Sequence, residues 1–494
     1  MKSIELELDA LEARRKDFRS YAKMNVDPAS GLRGAVSSVS TSTVEAVKGL
    51  FDNPETNAAN IAAYMDNLSK KNGVVSRVLN YFSSHPTYNH TISPLLDAKD
   101  GFTTQGGLTD YLEAAAHLEK YNIKFFAPYF VKRTLIQGVS FFYEIASNDG
   151  VAYMEFPMEM CRISGIENGV YRWMIDVSRL RQETVDMQGF PTEIKNAFNS
   201  SNKTGNKWVD ETYFIVGNKG VAFCFDMSVL KNGGIAVSEI ASLLIESAEV
   251  DKAKNNVNIK DDIDALRFIH GKIPLDKDNN PLVPSDEVNL WRRVILAGMP
   301  SGVALAVSPL EIDNVPLSGA GSSKAYETVE DSQKQLFTSM GIPASLFGSN
   351  TTSSNIVKEN IKKDAAWIYA KVIPVIEAYY RYVMKSLKTE SGLMWDVQIL
   401  RQSSHMPDEY TKTSKEMLTF GGSRTDLLAS GGMTPFTIYS KLFMEQEMLS
   451  IDDYMIVKPT SNTISGSNDP TSSGPGRPKT DNPTDDTDRI NDNA

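Results

Sequence analysis

Residues able to do chemistry are easy to find in this sequence and hard to assemble into a site. Ser318-Gly319-Ala320-Gly321-Ser322-Ser323-Lys324 is only superficially like a phosphate cradle. Such a loop needs its lysine ahead of the hydroxyl residue and an apolar strand feeding it, and here the lysine follows the serines. His85 and His90 stand five residues apart across Pro86. Helical metal pairs need spacings of three or four and further ligands, so these two read as surface-loop residues. No HExxH and no GxSxG elbow occurs. Glu246 with Glu249, and Glu330 with Asp331, read as exposed helix faces, and Asp485, Asp486 and Asp488 as solvating charges. No catalytic residue, metal ligand or cofactor site is assigned. What remains is a bare polar loop, Ser349, Asn350, Thr351, Thr352, Ser353 and Ser354, followed on one helix face by Lys358, Lys362 and Lys363. For the lysines two readings stand, a solvated face or weak phosphate contacts. Tyr379, Tyr380 and Tyr382 have rings that can stack on bases, but their spacing beside Ile376 and Val383 reads as packing.

The elements around that loop follow from hydrophobic spacing. Residues 1 to 137 read mostly helical. Ile61, Tyr64, Met65 and Leu68 form one stripe, Val75, Val78, Leu79 and Phe82 another, and Gly73 separates them. Thr109 is an N-cap candidate and Gly138 a C-cap candidate. From 139 to 230 the pattern changes to strands. VSFFYEIAS and VAYMEFP flank Asn148-Asp149-Gly150, and CRISGI and VYRWMIDV flank Asn168-Gly169, a pair that tolerates positive φ at both turn positions. KWVDETYFIV and GVAFCFDMSVL read as a third hairpin, with a short helix near PTEIKNAFNS.

Helix returns at 236 to 256, with Ser238 a candidate cap, and again at DDIDALRFIHGK. WRRVILAG and GVALAVSPLEIDNVPL read as strands, and SSKAYETVEDSQKQLFTSMG as helix. After the polar loop, Ile361, Ala365, Ile368, Val372, Ile376, Tyr379, Val383 and Leu387 hold helical spacing for about seven turns. Pro374 falls inside that run and is expected to kink it at a cost of about 3 kcal/mol. LMWDVQILR reads as a strand, followed by helices to 452. Residues 459 to 494 carry almost no apolar side chains and are expected to stay disordered. The fold class is α+β, mainly helical.

Composition narrows the function. The chain has 494 residues, 41% hydrophobic and 23% charged, with a net charge of −11. Tight nucleic-acid binders gain affinity by neutralising phosphates and are usually basic, so a sequence-specific DNA reader is disfavoured. No apolar run approaches the roughly 18 residues of a membrane span, and the N-terminus lacks a signal-peptide core. A cytosolic site of synthesis is expected, and Cys161 and Cys224 read as buried thiols.

The order of elements and several strings resemble the portal proteins of tailed bacteriophages and related prophages. The strings are NLSKKNGVVSRVLNYFSSHPTYN, YMEFPMEMCRISGIENGVYRWMIDVSRL, KIPLDKD with GVALAVSPLEIDNV, GIPASLFGSNTTSSNIVKENIKKD, and LFMEQEMLSIDDYMIVKPTSNT with GPGRPKTDNPTDDTDR. The resemblance covers nearly the whole chain and rests on their number and order. It implies a portal fold: wing 1–235, stem helix 236–260, α/β clip 261–318, stem helix 319–341, tunnel loop and long kinked helix 342–388, wing strand 389–404, crown 405–458 and tail 459–494. It implies a homo-oligomeric ring of twelve at one capsid vertex of the virion, assembled in the host cytoplasm without a membrane anchor. Double-stranded DNA would pass through it during packaging and ejection. Ser349 to Ser354 would line the channel, and Lys358, Lys362 and Lys363 would touch DNA. Lys272, Asp276, Lys277, Asp278, Arg292 and Arg293 would sit on the docking side, toward the terminase large subunit and then a head–tail adaptor. Major capsid and scaffolding proteins are the other implied partners. The rival readings are another virion head or connector protein, or an intracellular enzyme with an unrecognised site.

Overall fold

The computed structural model describes residues 44–95, 104–147, 150–182, 187–201, 203–265, 267–274, 276–277, 282–297, 303–308, 322–339, 354–390 and 392–450. The chain divides into two compact units, Met1–Ser440 and Lys441–Ala494. In the first, helices α1 (Val44–Leu50), α2 (Ala58–Lys71) and α3 (Gly73–Ser84) precede strand β1 (His90–Leu95). Asn72, not Gly73, makes the break between α2 and α3. It is extended, and its side chain accepts from the N–H groups of Val74 and Val75, satisfying two orphan donors. Helices α4 (Thr104–Glu119) and α5 (Ile123–Gln137) follow. Thr109 lies inside α4 and does not cap it. Gly138 ends α5 at φ +82°, donating to the Thr134 carbonyl. A Cβ there would meet the Ala236 carbonyl oxygen at 2.5 Å, so only glycine fits.

Strands β2 (Val139–Ser147), β3 (Gly150–Phe156), β4 (Cys161–Glu167) and β5 (Val170–Asp176) come next, then α6 (Val177–Gln182) and α7 (Thr192–Asn199), then β6 (Trp208–Val209), β7 (Tyr213–Ile215) and β8 (Gly220–Cys224). The sheet order is β3-β2-β8-β5-β7-β6 with β4 also on β5, and every pairing is antiparallel. Asn168 and Gly169 take φ +52° and +82°, as the two-residue hairpin turn requires. The third hairpin differs from expectation. KWVDETYFIV folds back on itself as β6 and β7, while β8 inserts between β2 and β5. Both faces of the sheet are covered, so β2 carries large apolar residues at adjacent positions, Phe141 and Phe142. Phe142, Tyr153 and Phe223 face the helical core with Phe130, while Phe141, Phe156 and Trp173 face a second core closed by Leu180 and Ile194. Cys161 and Cys224 are free, buried thiols in that second core.

The 23-residue helix α8 (Leu243–Ala265) starts later than expected, and Ser238 does not cap it: its hydroxyl oxygen accepts from Ile240 N–H in the turns that precede the helix. It runs on through DDIDA, and RFIHGK is strand β9 (Arg267–Lys272) rather than helix. WRRVILAG is helix α9 (Ser285–Ala297), not strand. Asp286 and Glu287 in its first turn favour that choice by complementing the helix dipole. Strand β10 (Val303–Ser308) pairs parallel to β9, giving a small βαβ unit. Helix α10 (Ser322–Ser339) then packs along α8, burying Leu336 and Phe337 with Val250 and Val257 among the buried residues of α8. Helix α11 (Ser354–Trp367), a π turn (Ile368–Val372) and helix α12 (Ile373–Lys385) lead to β11 (Met394–Ile399). β11 pairs antiparallel with β1. Helices α13 (Pro407–Leu418), α14 (Arg424–Ser430) and α15 (Pro435–Phe443) complete the described elements, with Leu400, Ala429 and Ile438 in a small core. In the second unit the backbone passes into a π turn (Met444–Met448). The polar tail 459–494 lies outside the described residues.

His85 and His90 are not surface residues. They are 0% and 4% exposed, enclosed because Pro86 bridges Ser403 and His90 pairs with Ile399. The His90 Nδ1–H donates to the Tyr88 carbonyl at 3.0 Å. Burial pushes the His90 pKa down to about 4, and burial with the neighbouring His405 does the same for His85. A charged centre also ties α2, α5 and β3: Arg133 reaches Asp66 and Glu155, each at 2.6 Å.

Two outcomes follow. Arg133→Ala removes the counter-charge of buried Glu155, leaving it only the neutral donors Tyr129 and Gln137, and should cost about 3–5 kcal/mol, read as a lower denaturation midpoint. Below pH 6.5 the unfolded chain takes up protons that buried His90 refuses. Its contribution is therefore complete above pH 6.5 and is lost as pH falls to about 4, a total of about 3 kcal/mol. His90→Asn should flatten the slope of unfolding free energy against pH in that window, and an unchanged slope would contradict the assignment.

Candidate functional site

The polar loop and the helix behind it are the centre of interest. Ser349, Asn350, Thr351, Thr352 and Ser353 lie outside the described residues, and Ser354 is the first residue of α11. The helix forms because Ile361, Ala365 and Ile368 recur on one buried side. Helical spacing puts Lys358 close to the side of Ile361 and Ala365, Lys362 at its edge and Lys363 opposite, so the three do not make a single face. All three are exposed. Lys362 Nζ lies 3.4 Å from Glu359 and 3.6 Å from Glu409 of α13. Attraction to Glu359 and then to Glu409 holds its pKa up. Its charge is therefore shared by two carboxylates.

Pro374 falls in the first turn of α12, just after the π turn. Across that turn the Ile373 N–H reaches the Ile368 carbonyl, five residues back. Proline lacks the N–H that would bond Ala370, and the widened turn precedes the position where a regular ladder would fail.

Helix α12 is anchored deep in the body. Ile376, Tyr379, Tyr380 and Val383 are at most 2% exposed. The Tyr379 hydroxyl donates to Glu144 Oε2 at 3.2 Å and lies 2.7 Å from the Tyr153 hydroxyl. Tyr121 donates to Glu144 Oε1 at 3.2 Å, and burial pushes the Glu144 carboxyl above its usual range. Tyr382 is half-buried with the Arg172 guanidinium 4.4 Å from its ring centre. These rings pack, and Tyr379 and Tyr380 are closed to stacking on a base. At the start of the assembly, the Tyr81 hydroxyl donates to Asp364 of α11 at 2.9 Å, and its ring stacks on His405.

The docking-side residues fall on the βαβ unit. Lys272 ends β9, Asp276 and Lys277 follow it, and Asp278 lies outside the described residues. Arg292 and Arg293 are exposed on α9. Sequence reasoning missed their neighbours. Leu290, Trp291, Val294 and Ile295 are 43–59% exposed on the same helix. The signal was present in Pro284-Ser285-Asp286-Glu287, a helix start followed by apolar residues three and four apart. A Trp flanked by arginines on an uncovered helix has the composition of an interface centre. Among the described residues no cluster of metal-ligating side chains occurs, and no helix is long and apolar enough to cross a membrane.

No protein-family model and no curated protein matches the chain. Similar solved structures include a chain of the virion of a native gene transfer agent particle, at 10% identity and TM-score 0.41 over 75% of this chain and 93% of that one. Another is from the neck of an empty gene transfer agent particle, at 11% identity and TM-score 0.40 over 74% and 94%. A third is an HK97-family phage portal protein from Corynebacterium diphtheriae, at 12% identity and TM-score 0.28 over 70% and 94%.

Tyr379→Phe tests the anchor. It leaves Tyr153 and Glu144 each short of a partner in the core, at an expected cost of about 1–3 kcal/mol, read as a lower urea midpoint with an unchanged m-value.

Proposed function

We propose that this chain is a phage portal-type protein, a non-enzymatic head–tail connector subunit. In this reading twelve copies ring a channel at one capsid vertex of the virion, and double-stranded DNA passes through it in packaging and ejection. The observation that carries the reading is an arrangement of parts. A βαβ unit with an uncovered Trp-Arg helix is inserted between two helices that pack on each other, α8 and α10. The chain then enters a loop of Ser, Thr and Asn and a long broken helix whose far half is buried in the body. The portal-like strings in the sequence support the same assignment.

Physical chemistry supports the division of labour. A channel lining must touch DNA without trapping it. Neutral Ser349 to Ser354 can exchange hydrogen bonds with phosphates but make none of the charge-assisted pairs that arginine makes. A net charge of −11 keeps counterion release, and with it tight binding, small. Lys362, shared by two carboxylates, suits transient contact better than retention. The α8–α10 pair is the stem, and the βαβ unit the clip that docks the terminase large subunit and later the adaptor. The β-sheet body is the wing, and α13 to α15 belong to the crown. Capsid and scaffolding proteins contact the outside.

Size and symmetry test this directly. Class averages from electron micrographs should show rings with a central hole, and the assembly should elute near 650 kDa, about twelve copies of the 54.6 kDa chain. A uniform monomer-to-tetramer population, even with the scaffolding protein present, would overturn the ring. Replacing both Thr351 and Thr352 with arginine should leave rings intact and slow DNA packaging. Normal packaging by that variant would remove the loop from the channel.

A further inference from the structure

A cleft of about 980 Å³ opens between α1, the α2–α3 junction and α8. Its floor is apolar, formed by Val47, Leu68, Val74 and Leu244. Lys71, Arg77, Lys252 and Lys254 stand around it, with Glu45 and Asp251 as the opposing charges. Lys252 and Glu45 approach to 3.9 Å, so the other lining charges are Lys71, Arg77 and Lys254 against Asp251. None of the portal parts uses this cleft.

We propose that the cleft is the docking site of the chain's own N-terminal residues 4–12. Three observations select this occupant. The described chain starts at Val44, and Val44 and Glu45 themselves line the cleft, so the preceding 43 residues are joined to the chain at its edge. Their first stretch interleaves Ile4, Leu6, Leu8 and Leu11 with Glu5, Glu7, Asp9 and Glu12. Apolar side chains suit the floor, and the four carboxylates suit a rim with lysines in excess. The roughly thirty residues between this stretch and α1 span about 30 Å as a flexible chain, enough to return to the cleft at millimolar effective concentration. Docked there, the segment ties α1 to α8 and rests on the stem helix. A neighbouring copy's segment, or a different protein, is the competing occupant.

Cysteine pairing in the full chain tests the proposal, because the native Cys161 and Cys224 are buried. Ile4→Cys, Leu6→Cys, Leu8→Cys and Leu11→Cys are each combined with Lys71→Cys, and mild oxidation is followed on non-reducing gels. At least one pair is expected to form an intrachain disulfide about tenfold faster than the same residue combined with Glu416→Cys on α13, as a high local concentration requires. Rates equal to that control, or disulfides that join separate chains only, would overturn it. Amide exchange gives a second measurement. Leu6→Glu with Leu8→Glu should speed exchange across residues 67–77 and 44–50 several-fold, and unchanged exchange would again refute docking. The cysteine pairs carry the test if that variant fails to fold.

Discussion

The partial burial of one carboxylate beneath a helix ties the parts of this molecule together. Glu144 is half-buried on β2 and receives hydroxyl hydrogen bonds from Tyr121, in the turn after α4, and from Tyr379 of α12. A half-buried acceptor that lost these partners would be costly, so the turn after α4, α12 and the sheet are held in one relative position. Around that point Phe130, Phe223 and Tyr153 meet Tyr379 edge-on, and Phe142 packs tilted on Phe130 and Phe223, which excludes water and rewards close approach. Helix α11, continuous with α12 through the π turn, takes its direction from this anchor. The polar loop is joined to the body through a helix fixed at its far end.

A second constraint is the sheet with two covered faces. Along β2 adjacent phenylalanines, Phe141 and Phe142, enter different cores. A one-residue slip would exchange them, so the register is strongly specified. The Arg133 group, with Asp66 on α2 and Glu155 on β3, fixes the helical layer over the same sheet. The sheet body is thus pinned on both faces, whereas α9 of the βαβ unit leaves Leu290, Trp291, Val294 and Ile295 uncovered.

Local chemistry was readable in the sequence, and distant pairing was not. Asn168-Gly169 announces its turn because the required φ values are a property of those two residues. Gly138 is equally plain. The run Val294-Ile295-Leu296 is apolar without alternation and looks like a buried strand, but the capping chemistry before it made it helix. RFIHGK erred the other way, since only pairing with β10, across more than thirty residues, makes it a strand. The burial of His85 depends on Ser403, and the second partner of Lys362 is Glu409 on another helix. No local pattern carries such information. The long helix was legible from its apolar spacing, while the sharing of the Lys362 charge between Glu359 and Glu409 required the fold.

The π turn at Ile368–Val372 also sets a register between two halves of one helix. A five-residue turn carries one residue more than the regular ladder, so it acts as an insertion absorbed without breaking the rod. Loss of a single residue there would leave α12 seated and turn the whole of α11 by about 100° about its axis. Asn360 and Asp364 would swing to the side now held by Ile361 and Ala365. The length of this turn therefore decides which side chains face outward ahead of the loop, and a chain one residue shorter would present a different surface from the same residues.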